Sequence, residues 1–138
     1  MQVGFSGYHD LRPLATPNAD QRILSGYAVY HTSSFELMNE VVLIRQSLDI
    51  GLPITNATGF YSQISRCWSS YCPYFRYEYV NVPDRDLIYP DMHRTNGPVV
   101  GLRYDWGEFT ALEIQYGRTM RRALPSFNTL PLQSAFTF

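Results

Sequence analysis

The sequence predicts an all-β chain, an antiparallel up-and-down sheet forming a single unit over residues 1–138. Three observations predict it. Nine Gly and nine Pro interrupt any helical pattern. The segments between them are rich in Tyr, Phe, Val, Ile and Thr and alternate with a period of two. Short and long connections take turns along the chain, as they do in an up-and-down barrel whose two ends face different environments.

Residues 2–7 read as a truncated first strand. Residues 21–31 and 35–46 follow, joined by a tight turn at 32–34. Residues 59–68 lead through Ser69-Ser70 to 74–81, where Phe75, Tyr77 and Tyr79 fall on one face and Arg76 and Glu78 on the other. Residues 99–106 repeat that pattern, with Val100, Leu102, Tyr104 and Trp106 opposed to Gly101, Arg103 and Asp105. Residues 109–118 and 128–138 bring the set to about 7–8 strands. The long connections at 8–20, 47–58, 82–96 and 119–127 hold most of the Pro, Asp and Asn.

Loop length fixes which residues lie opposite, so the turns test the pattern. A two-residue loop at Ser69-Ser70 sets Trp68 against Tyr71 and Cys67 against Cys72. A three-residue loop at Trp106-Gly107-Glu108 sets Arg103 against Ala111 and Gly101 against Glu113. Under both, the polar faces of separate strands agree.

Composition removes several classes of function. Charged residues are 17% and the net charge is −1, which argues against a disordered tail and against an electrostatic nucleic-acid binder. All 11 basic residues are arginine. No apolar run reaches the length of a membrane-spanning helix, and the first residues lack the pattern of a secretory leader. A mean hydropathy of −0.22 suits a soluble β-domain or a membrane β-barrel equally.

The two differ in which face looks inward. Aromatic residues crowd the apolar face near strand ends, at Trp68, Tyr104, Trp106, Phe109, Phe136 and Phe138, where membrane barrels carry interfacial girdles. The opposite face pairs Arg with Glu or Asp, without the lysine usual on solvated sheets. The chain also finishes on an alternating segment whose last residue is aromatic. These features favour a transmembrane β-barrel.

The closing segment, with Phe136 and Phe138, resembles the carboxy-terminal strand of bacterial outer-membrane porin-like proteins. The stretch 97–128 is similar to the last hairpins of that family, and 22–27 and 35–40 extend the likeness over most of the chain. The resemblance implies an outer-membrane barrel for passive diffusion of small hydrophilic solutes or ions, of which residues 1–138 form the carboxy-terminal part. It implies contact with outer-membrane lipid, insertion by the barrel-assembly machinery through the last strand, and short turns on the periplasmic side. Two departures are the short chain and Pro131, which removes a backbone donor from the closing strand.

The expected pore-lining residues are Glu36, Glu40, Arg76, Glu78, Arg103, Asp105, Glu113 and Gln115. For each one singly, an ion pair between neighbouring strands is the plainer expectation. Both signs are present, so ion preference is unassigned. The expected lipid-facing set is Trp68, Phe75, Tyr77, Tyr79, Leu102, Tyr104, Trp106, Phe136 and Phe138. Cys67 and Cys72 are expected to form a disulfide. His9, His31 and His93 are too scattered to join them around a metal, so neither metal nor cofactor is expected.

No catalytic motif stands out. Glu36 and Glu40 lie about 13 Å apart on a strand, too far to share a proton. Asp84 and Asp86, with Arg85, Asp91 and Arg94, belong to the longest loop and are expected either to solvate it or to fold inward. The competing functions are a soluble lipocalin-like carrier with its aromatic residues inside, and an outer-membrane anchor or adhesion barrel that does not conduct. Oligomeric state is left open.

Overall fold

The structure, a computed structural model, describes residues 1–13, 18–48, 54–84, 86, 89, 92–122 and 124–136. Among them there is no helix, and the strands are β1 (Gln2–Pro13), β2 (Asn18–His31), β3 (Glu36–Leu48), β4 (Thr55–Ser65), β5 (Tyr71–Asn81), β6 (Thr95–Trp106), β7 (Thr110–Arg121), β8 (Leu124–Thr129) and β9 (Leu132–Phe136). They form one antiparallel sheet in chain order from β1 to β8, with β9 also paired to β7. β8 and β9 therefore occupy one column, interrupted at Leu130-Pro131, and the backbone stays in contact there because Gln115 N–H donates to the Pro131 carbonyl at 3.1 Å. Among the described residues β1 does not pair with the β8–β9 column, so the sheet is an open, partial barrel.

Three features differ from the sequence expectation, one being that residues 119–127, expected as a long connection, lie mostly in β7 and β8. β1 is a 12-residue strand, not a stub, and its second half pairs with residues 18–23 of β2. The turn after β6 comprises Gly107, Glu108 and Phe109, so that Trp106 opposes Thr110, Arg103 opposes Glu113 and Gly101 opposes Gln115. Gly107 takes φ of 73°, a left-handed conformation that costs glycine little and lets the hairpin close there. The offset from the expected register is two residues, and a shift of two preserves which face every side chain occupies.

The Ser69-Ser70 turn has the expected register, with Trp68 bridging Tyr71. At the β2–β3 turn, the Thr32 hydroxyl accepts from the Phe35 and Ser34 N–H groups at 3.0 and 3.2 Å, satisfying backbone donors that the reversal would leave bare.

Burial is unequal on the two faces. Gln21, Gln46, Ala57, Cys72, Tyr74 and Val99 are buried, and all share the polar face through the register. Phe5, Leu24, Leu43, Phe60, Phe75, Val100, Ile114 and Leu132 share the other face, across every column, and all are exposed. Nothing among the described residues covers the apolar face, whereas at one end of the polar face Asp86 and Tyr89, from the segment after β5, pack over Gln21 and Thr55.

Candidate functional site

The polar face is the candidate site, and its centre is built by three residues in a row. Tyr74 on β5 opposes Gly101 on β6, which opposes Gln115 on β7. Strands are spaced about 4.8 Å apart, so a side chain on β5 reaches β7 only by lying flat over β6. Gly101 permits this: a Cβ there would fall 2.2 Å from Cζ of the Tyr74 ring. The Tyr74 hydroxyl donates to Glu113 Oε1 at 2.5 Å and lies 2.9 Å from Gln115 Oε1, which also accepts from Arg76 Nη2 at 3.0 Å. Gly4 and Tyr27, opposed on β1 and β2, repeat the arrangement, with a Cβ on Gly4 meeting the Tyr27 ring at 2.4 Å.

The eight residues expected to line a pore all lie on this face. Their ion pairs run along strands as well as between them, unlike the cross-strand pairing expected for them. Arg76 meets Glu78 at 2.7 Å and Arg103 meets Asp105 at 2.8 Å, each two residues apart on one strand. Glu36 has His31 at 3.6 Å across the β2–β3 ladder. The Arg76 guanidinium also lies 5.8 Å from the ring centres of Tyr61 and Tyr74. Near the short turns these groups border a cavity of about 440 Å³ whose walls include Glu36, Tyr61, Arg76, Arg103 and Glu113. Cys67 and Cys72 are joined as a disulfide at its edge, with Cα atoms 4.1 Å apart.

At the far end, the segment after β5 folds back onto the polar face. Asp86, with Asp84 expected among the loop residues, is 1% exposed. Its carboxylate accepts from Thr55 Oγ1 at 3.1 Å and from the Tyr89 N–H at 3.0 Å. With the Gln46 amide nitrogen turned towards Asp86, that group donates to both carboxylate oxygens at 2.9 Å and its oxygen accepts from Gln21 Nε2 at 3.2 Å. Gln21, Gln46 and Thr55 are register neighbours on β2, β3 and β4, so three strands together receive the loop. Asp84 stays exposed and contacts His93 at 3.3 Å. Arg85 and Asp91 lie outside the described residues.

The opposite face carries Trp68, Phe75, Tyr77, Tyr79, Leu102, Tyr104, Trp106 and Phe136; Phe138 lies outside the described residues. Tyr71 and Tyr104 pack with ring centres 4.9 Å apart, and Phe60 stacks on Tyr79 at 5.2 Å. Trp68 and Trp106 are 52% and 66% exposed, on the border of the short-turn end.

The sequence pattern grouped Tyr74 with Arg76 and Glu78 but gave it no role, because its reach depends on the glycine opposite it on the neighbouring strand. The long connection between these strands leaves their register unread in the sequence. Gln21, Gln46 and Thr55 carried no signal either. Among the described residues no group of His, Cys, Asp and Glu is arranged to hold a metal ion. The chain matches no protein-family model and no curated protein.

Proposed function

We propose that this chain is part of a bacterial outer-membrane porin-like β-barrel, with its apolar face against lipid and its polar face lining a passage for small hydrophilic solutes or ions. The observation carrying this reading is the contrast of the faces: the more buried side holds Arg76, Glu113, Gln21 and Gln46 beside Ala57, Tyr74 and Val99, whereas the large aliphatic and aromatic side chains of the other side are exposed. A water-soluble domain that left such a surface open would exceed the apolar patches of a few hundred Å² that monomers expose. On β6 the apolar face runs from Pro98 to Trp106, about nine residues, which matches what a tilted strand needs to cross a bilayer. Both charge signs on the polar face suit general permeation over strict selectivity. In this reading the chain has no catalytic role, and the β8–β9 column is what the barrel-assembly machinery engages during insertion.

A non-conducting anchor is the second reading, favoured by the loop that Asp86 pins inside and by ion pairs that consume polar-face charges. A soluble carrier is disfavoured by the exposed aromatic residues. Planar-bilayer recording of the full-length protein separates the first two. Discrete conductance steps are expected, with amplitude altered by Arg76→Gln or Glu113→Gln. Stable incorporation with no conductance would leave the anchor. A monomer that stays soluble without detergent and does not enter vesicles would refute both.

A further inference from the structure

The outer face carries a feature that solute passage does not use. His9, Arg22, Arg45 and Asn56 are register neighbours on β1, β2, β3 and β4, forming one lateral row. Arg22 and Arg45 stand directly opposite each other, both exposed. Like charges in that position repel, and nothing in strand geometry requires them there. Asp20 answers only part of the charge: it contacts Arg22 at 3.3 Å and His9 at 3.0 Å. No carboxylate lies within ion-pair distance of Arg45 among the described residues.

One step along the strands towards the apolar band, the same columns present Leu24, Leu43 and Thr58. Leu24 and Leu43 are exposed. Arg22, Arg45, Asn56 and these residues together border a shallow groove of about 320 Å³. The groove itself is mostly apolar, and Arg22, Arg45 and Asn56 stand along one end of it.

We propose that this groove binds an anionic phospholipid, the phosphate bridging Arg22 and Arg45 and an acyl chain lying over Leu24 and Leu43. The inference rests on the membrane reading above and assigns one lipid site within it. Arginine suits the role because its planar fork meets two phosphate oxygens at once. A bridging anion also turns the Arg22–Arg45 repulsion into attraction. At the border of the apolar band the cost of placing arginine on the lipid side is small. A free phosphate would use the arginine end alone and leave the apolar remainder bare, so the lipid is the occupant that uses all of the groove.

The test uses full-length protein in phosphatidylcholine vesicles containing spin-labelled phosphatidylglycerol, with the motionally restricted fraction read by electron paramagnetic resonance. Phosphatidylglycerol is expected to associate more strongly than labelled phosphatidylcholine, and R22Q/R45Q to reduce its relative association by about fivefold per arginine removed. R22K/R45K keeps the charge and should retain a preference for the anionic lipid, which guards against a folding defect in the glutamine variant. Arg118→Gln, on the outer face of β7, removes a cation outside the row and should leave the association within twofold. Equal losses in Arg118→Gln and R22Q/R45Q would overturn the site in favour of diffuse surface charge. No loss in either, or displacement by inorganic phosphate at millimolar concentration, would also overturn it. Protein that incorporates into vesicles without preferring phosphatidylglycerol refutes the site alone; failure to incorporate refutes the membrane reading beneath it.

Discussion

Replacing Gly101 by Ala places a methyl group where the Tyr74 ring lies, 2.2 to 2.4 Å from its atoms. Contacts that short cannot persist, so the ring must lift off β6. Forcing an extra methyl into a packed position costs about 1–3 kcal/mol. Lifting the ring also withdraws the hydroxyl from Glu113, and a hydrogen bond to a charged group contributes about 1.5–3 kcal/mol. Alanine's better behaviour in a strand returns about 0.5–1 kcal/mol. The expected net loss is therefore about 2–5 kcal/mol. Reversible urea unfolding in lipid vesicles, followed by the fluorescence of Trp68 and Trp106, measures it. The same change made in a Tyr74→Ala background removes the obstacle and should be neutral or slightly stabilising. The coupling across the cycle should then nearly equal the loss in the single variant. If Gly101→Ala costs the same in both backgrounds, the ring does not depend on that glycine and the account of the polar centre fails.

Other substitutions separate the remaining claims. Gly97→Ala should be more damaging than Gly101→Ala, because its Cβ would meet the Arg118 carbonyl oxygen at 1.8 Å and a backbone cannot swing aside; the same unfolding series ranks the two. Leu102→Arg places a cation on the apolar face and should cost about 2–4 kcal/mol or block vesicle insertion, whereas Gln115→Arg on the polar face should insert normally. Equal insertion of both would remove the basis for assigning the faces. Asp86→Ala leaves the buried donors of Gln46 and Thr55 unanswered, at about 1–3 kcal/mol each, and should free the segment after β5 to trypsin at Arg94 with increased single-channel conductance. Mass spectrometry of non-reduced peptides should find Cys67 and Cys72 linked and refractory to alkylation.

Much of the sheet was legible because a strand encodes its faces with a period of two. Arg76, Arg103 and Glu113 could be assigned to one side before their partners were known. The β6–β7 register was read two residues off, since only the backbone shows that Gly107 adopts the left-handed conformation. The assignment of faces survived because two is the period itself. The second half of β1 was read as loop for a different reason. Tyr8, His9, Asp10 and Leu11 mix polar and apolar residues irregularly and Pro13 follows, yet the backbone pairs with β2 throughout. Where a strand passes the edge of the apolar band, neither of its faces need be greasy and the alternation fades. The knot around Asp86 was the least legible part. It joins Gln21 to Tyr89, 68 residues apart, and depends on a return of the chain that no local pattern records.

The interruption at Leu130-Pro131 divides the last column without adding one, so the sheet counts eight columns. That count is even, and β1 therefore runs opposite to the β8–β9 column. Parity limits how a cylinder can be completed. The two margins can meet directly, or they can be bridged by an even number of additional strands; an odd number would force two neighbours to run in the same direction. A second copy of this sheet, or any partner sheet, satisfies the requirement only if its own tally is divisible by two.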